Sequence, residues 1–305
     1  MPGNGRATTR RGTERLEREL DRLLGEVGRG VEAVVDRPHA TPALLHDLHR
    51  DMRRLRTGLA VWEQLLDKPD RAQLGPIDRR IRRLAQLIGQ VRDRDVAVDL
   101  LGSVEAKARS AEERERLDRY RARLHDDART GRELLRAFLR SERDALLFDE
   151  VRGVLRARAR PTRSDRLHRL LSEHQTSGHM RLVEAHRKAR KRPTMDRLHR
   201  LRIRVRRLRQ ISDLASTVDT EARGTVAASL RRLQQHLGRL HDLDLLLGGL
   251  DPSLRDTRWA KALRKERRRQ RRAVVKTIRS FRPDRTPTPT AAPDPPTRGT
   301  HPPTH

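Results

Sequence analysis

The sequence predicts an all-α protein that uses one helical unit twice. Three observations carry this. Apolar residues recur at spacings of three and four through every long segment, which is the helical period. Aromatics are only 2% of the 305 residues, and Tyr, Phe, Ile and Thr never gather in the alternating runs of a strand. Finally, the stretch Leu45–Arg56, LHDLHRDMRRLR, returns at Leu198–Arg209 as LHRLRIRVRRLR. In register, His46 falls on His199, Arg53 on Arg206, Arg54 on Arg207 and Arg56 on Arg209. Leu45, Leu48, Met52 and Leu55 fall on Leu198, Leu201, Val205 and Leu208.

Residues 1–11 are rich in Gly, Arg and Thr and are expected to be disordered. From Thr13, the stripe Leu16, Leu20, Leu23, Val27, Val31 and Val34 predicts a first helix, ended by Arg37-Pro38. Thr41-Pro42 reads as an N-cap followed by Pro at the first helical position. The second helix carries Leu45, Leu48, Met52, Leu55, Leu59, Trp62 and Leu66 on one face, suited to packing in a bundle. Lys68-Pro69 closes it. A third helix is expected over 77–101, around Ile81, Leu84, Ile88 and Val91.

A long charged helix, or a pair restarting at Ser141, covers 104–158. Arg160-Pro161 divides the halves. A further helix runs from Ser164-Asp165 to about Arg190, and Pro193-Thr194 separates it from the second cassette. Residues 219–248 resemble the third helix. Asp251-Pro252 opens a last, very basic helix to about Arg282. From Pro283 the chain is Pro and Thr rich, which predicts a flexible tail over 283–305.

The third helix has its own twin. Arg82–Val96, RRLAQLIGQVRDRDV, matches Arg231–Leu245, RRLQQHLGRLHDLDL. Arg82 and Arg83 fall on Arg231 and Arg232, Gly89 on Gly238, Arg92 on His241, Asp93 on Asp242 and Asp95 on Asp244. A helix–loop–helix unit present twice implies two related bundles packed together, with a first helical half at 12–160 and a second at 161–282.

Charge narrows the partners. Charged residues are 37% of the chain and the formal net charge is +29, which concentrates polyanions and speeds their encounter. There are no cysteines, so disulfides, thiolate nucleophiles and cysteine metal sites are excluded. No N-terminal apolar region and no uncharged run long enough for a bilayer is present. The expected protein is therefore cytoplasmic, without membrane contact. The sequence does not set an oligomeric state.

Histidine, six residues, then Arg-Arg-x-Arg on one helix, followed by Leu-Gly-x-x-Arg-Asp-x-Asp on the next, resembles the CHAD family, the histidine-containing α-helical domain. Here the features are His46 to Arg56 with Ile88-Gly89 to Asp95, and again His199 to Arg209 with Leu237-Gly238 to Asp244. The resemblance covers a CHAD-like domain at 12–282. It implies two four-helix bundles related by pseudo-twofold symmetry, with a basic groove between them. It also implies non-catalytic binding of inorganic polyphosphate and association with polyphosphate granules.

On that reading the ligand meets His46, His49, Arg50, Arg53, Arg54, Arg56, Arg82, Arg83 and Arg92 from the first half. The second half supplies His199, Arg202, Arg206, Arg207, Arg209, Arg231, Arg232 and His241. Cations at three- and four-residue spacing form a row along one helix face, ~5–6 Å apart, matching an anion with charge on every unit. The arginine fork holds phosphate oxygens in bidentate pairs. Asp93, Asp95, Asp242 and Asp244 are expected to clamp Arg or His rotamers rather than meet the ligand. Gly89 and Gly238, each costing ~1 kcal/mol against Ala inside a helix, are expected at a close helix crossing. His49 stands where the second half has Arg202, and Arg92 where it has His241, so the halves are not expected to grip equally.

Other chemistry finds little in the chain. His46 and His49 share a face, but no third or fourth metal ligand follows at a suitable spacing, and the arginines would repel a cation. No Gly-rich phosphate loop and no nucleophile elbow occurs. The Glu-x-Glu-x-Lys signature of the triphosphatase domain often fused to CHAD is absent too. Neither an enzyme nor a cofactor is expected. Nucleic acid is the competing partner, bound nonspecifically at low salt through the backbone, although so few aromatics leave little for base stacking. For Arg264–Arg272 a solvated face and a nonspecific polyanion patch both stay open. His168, His174, His179 and His186 lack duplicated counterparts and are expected at the surface.

Overall fold

In the computed structural model, which describes residues 4–37, 40–144, 146–156, 163–218 and 226–283, the apolar stripes form nine α-helices, with no strand among these residues. They are α1 (Asn4–Asp36), α2 (Pro42–Glu63), α3 (Lys68–Gly102), α4 (Ala111–Asp144), α5 (Leu147–Arg156), α6 (Arg163–Lys191), α7 (Met195–Val218), α8 (Val226–Gly248) and α9 (Arg258–Ser280). α1 to α4 pack in sequence and close with an α1–α4 contact. α6 to α9 repeat that order and close with α6 on α9. The short α5 has no counterpart and packs on α3, α1 and α4.

Across the halves, α1 meets α6, α2 meets α7 and α3 meets α8. Among the α-helices the unlike contacts come as a pair, α1 with α7 and α2 with α6. That pattern is what twofold symmetry demands, since each element touches its own counterpart and every other contact must be reciprocated. The two bundles do not keep separate interiors. One apolar cluster runs from Leu16 and Leu20 through Leu55 and Trp62 to Leu201, Leu233 and Ile278. A smaller cluster ties the far ends of α3 and α8 to α4 and α9 through Leu101, Tyr120, Leu243 and Trp259. Gly58 marks the tightest crossing: a Cβ there would lie 2.5 Å from the side chain of Leu20.

Several local readings change. α1 reaches back to Asn4, so residues 4–11, expected to be disordered, are helical. After Pro2 nothing breaks the helix, and extending an existing helix is far easier than nucleating one. Pro69 does not close α2. It stands in the first turn of α3 behind Asp67, where proline's missing N–H costs nothing. α3 therefore starts at Lys68 rather than near Ile77, and passes through Pro76.

Ser141 lies inside α4; the break falls beside Leu146, which takes a left-handed φ of 54°. There Arg80 of α3 spans the break, holding Glu142 at 2.6 Å and Glu150 at 2.7 Å. Asp251-Pro252 opens only a single 3-10 turn, while α9 begins at Arg258 behind the Thr257 cap. The Thr41 cap is as expected, its hydroxyl accepting from Leu44 N–H. The Arg160-Pro161 boundary, residues 219–225 and the tail beyond Pro283 lie outside the described residues. No described helix is long and apolar enough to cross a membrane.

Candidate functional site

α2 and α7 meet at the pseudo-twofold with their apolar stripes turned to the core. Leu45, Leu48, Met52 and Leu55 are buried on α2, and Leu198, Leu201, Val205 and Leu208 on α7. Helical geometry then fixes where the interleaved cations go. His49, Arg53 and Arg56 line one flank of α2, and Arg202, Arg206 and Arg209 the same flank of α7. All six are partly buried. α3 and α8 add Arg92 and His241 beside these rows. In the first half Arg92 lies 3.4 Å from His46. In the second half the equivalent residues, His199 and His241, lie with their ring centroids 5.2 Å apart and their planes tilted by 44°.

The cations crowd one another. Burial, then the charge of Arg206 and next that of Arg92, pushes Arg53 down to about 10. Burial, then Arg202, lowers Arg206 as well. Burial and the charges of Arg53 and Arg92 hold His49 at about 3. Burial and Arg202 hold His241 at about 4. His46 is lowered by burial and by Arg92. The imidazoles are therefore neutral at neutral pH, packed among charged guanidiniums. Among the described residues, the buried Nε atoms of Arg53 and Arg56 and the buried Nδ1 of His49 have no hydrogen-bond partner. Native interiors rarely leave such groups unsatisfied.

Two of the four aspartates balance this charge. Burial raises both Asp93 and Asp242, and the charges of Arg92 and Arg202 offset part of that rise at each. Each carboxylate thus serves both halves. Asp95 and Asp244 do something else, which corrects the expectation that they steady the site's own Arg or His. Asp95 is ion-paired with Arg132 of α4, and Asp244 with Arg267 of α9. These equivalent pairs fasten the outer helix of each bundle. Arg132 and Arg267 were missed because they lie outside the repeated motifs.

Not every expected residue joins the cluster. Arg50 turns away to Asp47 at 2.7 Å and Asp51 at 3.0 Å, so His49 alone supplies that turn of the row. Arg82 pairs with Asp78 on its own helix, with its charge still felt by Arg56. Arg54, Arg83 and Arg232 are exposed, and among the described residues no contact ties them to the others. Arg207 sits beside Arg56 and Arg206. Arg231 joins Arg209 and Asp242 along a groove between α3 and α8.

Neither glycine marks a close helix crossing. A Cβ at Gly89 would meet the His49 ring at 3.4 Å, while Gly238 faces open space. Gly89 lies against an imidazole, at a distance where a Cβ would make ordinary contact. His186, expected at the surface, is buried, bonded through Nε2 to the Ile278 carbonyl at 2.8 Å and packed edge-on against Phe281. Among the described residues no group of His, Asp and Glu could hold a metal ion.

A family model described as the CHAD domain matches residues 15–251. The fold is similar to the crystal structure of the CHAD domain from the plant Ricinus communis, at 20% identity and a TM-score of 0.62. That match covers 88% of this chain and 92% of the other. It is also similar to PptA from Streptomyces chartreusis, at 17% identity and a TM-score of 0.56, over 88% of this chain and 96% of that one. No curated protein sequence matches.

Proposed function

The chain belongs to the CHAD domain family, and from that premise we propose that it binds inorganic polyphosphate, without catalysis, in the groove between its two halves. The observation that carries this is the state of Arg53 and Arg206. Both are mostly buried, both are pushed below the ordinary arginine range, and neither has a carboxylate at ion-pair distance among the described residues. Like charges held together in low dielectric destabilise the empty protein. A chain of phosphates entering the groove turns that repulsion into attraction.

The two imidazoles fit the same ligand. A polyanion beside His49 and His241 raises their pKa and favours the charged form. Arg92 and Arg202 then release part of their hold on Asp93 and Asp242. Linear polyphosphate suits the rows because it carries charge on every unit. Association with polyphosphate granules in the cytoplasm follows from the same reading.

The test is a competition at physiological salt. Labelled long-chain polyphosphate is displaced with unlabelled polyphosphate, RNA and duplex DNA at equal phosphate concentration. Polyphosphate is expected to win clearly. Equal or better displacement by nucleic acid would overturn the proposal in favour of a nonspecific basic surface, whose binding falls steeply with salt.

A further inference from the structure

On one side the cation cluster opens into a recess of about 350 Å³, inside the ~300–1,000 Å³ range of small-molecule sites. Arg53, Arg56, Arg206 and Arg207 form part of its wall. Arg204 of α7 adds to them, and the remainder is mixed. Ala60 and Val61 of α2 and Leu208 and Ile211 of α7 are apolar, and α6 contributes His174, Ser177 and Arg181. A bare phosphate chain has no apolar surface to set against such a wall.

The recess is a departure from the symmetry. α1 and α6 align at one constant offset through Leu16 and Leu167, Leu20 and Leu171, and Val31 and Leu182, all buried. At that offset the buried Leu23 and Val27 of α1 stand where α6 has His174 and Gly178. The second half has exchanged two core side chains for an imidazole and a glycine, beside the arginines. Gln64 of α2 reaches across to His174, with its amide nitrogen 3.0 Å from Nε2, and so orients the ring.

We propose that this recess takes the organic part of a nucleoside polyphosphate. The phosphate groups lie on Arg53, Arg206 and their neighbours, and the base lies in the recess between the apolar wall and the exposed Arg181. Guanidinium planes stack on bases as aromatic rings do, which answers the scarcity of aromatics in this chain. Ser177 and His174 supply hydrogen bonds to the base or sugar. The proposal rests on the polyphosphate reading of the same arginines.

The test compares ATP with inorganic tripolyphosphate by calorimetry at fixed salt without divalent metal, alongside long-chain polyphosphate. Both short ligands carry three phosphates, and tripolyphosphate carries the greater charge. Charge alone therefore ranks tripolyphosphate first. ATP is expected to bind about tenfold more tightly, the equivalent of ~1.4 kcal/mol. Ala60→Phe, at an exposed helical position, fills the recess and should reverse that order without weakening long-chain polyphosphate. Ser177→Leu provides a second block, with helicity checked for each variant.

Long-chain binding together with ATP weaker than tripolyphosphate, or with Ala60→Phe weakening both short ligands alike, overturns the recess proposal alone. Failure of long-chain polyphosphate to bind overturns the reading beneath it.

Discussion

Arg53 of α2 and Arg206 of α7 stand at equivalent positions of the two repeats and close together, and Arg206 is the strongest neighbouring charge acting on Arg53. The repeat and the symmetry force this. One cassette used twice, folded about a pseudo-twofold through its own helices, brings like residue near like. The site is therefore strained electrostatically before any ligand arrives.

That strain should be visible as stability. Replacing Arg53 and Arg206 together with Met keeps the aliphatic bulk and removes both buried charges. The double variant is expected to be more stable than the parent in phosphate-free buffer, by on the order of 2 kcal/mol, and to lose most polyphosphate binding. Urea denaturation and a binding titration on the same preparation measure both. A destabilised variant would show that the arginines support the fold.

The pairing of His49 with Arg92, and of Arg202 with His241, exchanges the same two residue types between helices. Each half keeps one imidazole and one guanidinium there. His49→Arg alone should add a third close cation to Arg53 and Arg92 and destabilise the protein by roughly 1–3 kcal/mol. Adding Arg92→His should recover most of that loss. A double-mutant cycle by thermal denaturation reads the coupling.

The aspartates should separate by role. Asp95→Ala and Asp244→Ala leave Arg132 and Arg267 without their carboxylates. Each is expected to cost roughly 1–3 kcal/mol with little change in polyphosphate affinity. Asp93→Asn with Asp242→Asn should instead raise affinity, because Arg92 and Arg202 lose the charges that compete with the ligand. Binding titrations on the two sets decide it.

The buried histidines predict opposite pH trends for stability and binding. His49 at about 3 and His241 at about 4 lie below the unfolded value of about 6.5. Between these values the unfolded chain binds more protons, so stability of the free protein falls as pH drops from 7 toward 4. The loss is on the order of 3 kcal/mol at His49 and smaller at the less buried His241. A bound polyanion raises both pKa values, so binding takes up protons and affinity should rise as pH falls toward 5.5. Calorimetry at pH 6 in buffers of different ionisation enthalpy detects that uptake. Affinity independent of pH would leave the histidines as filling only.

Much of this was legible in the chain. Helical spacing revealed the stripes of α1, α2 and α7, and duplication revealed which cations recur. Helix ends were harder to read. Pro69 carries the same local signal whether it stops one helix or starts the next, and the choice depends on which flanking residues become buried. Arg50 is hard to place for a related reason: spacing puts it near the row, yet Asp47 and Asp51 on its own helix draw it off.

The sequence by itself determined an all-helical chain with two basic cassettes and two Asp-x-Asp helices, because period and repetition are local and additive. Only the tertiary structure decided what these residues face. It brought Arg53 to Arg206, shared Asp93 and Asp242 between the halves, and sent Asp95 and Asp244 to the outer helices. It also formed a recess beside the arginines, walled by α2, α6 and α7. Those outcomes depend on burial and on distances between segments far apart in the chain, and no helical period encodes them.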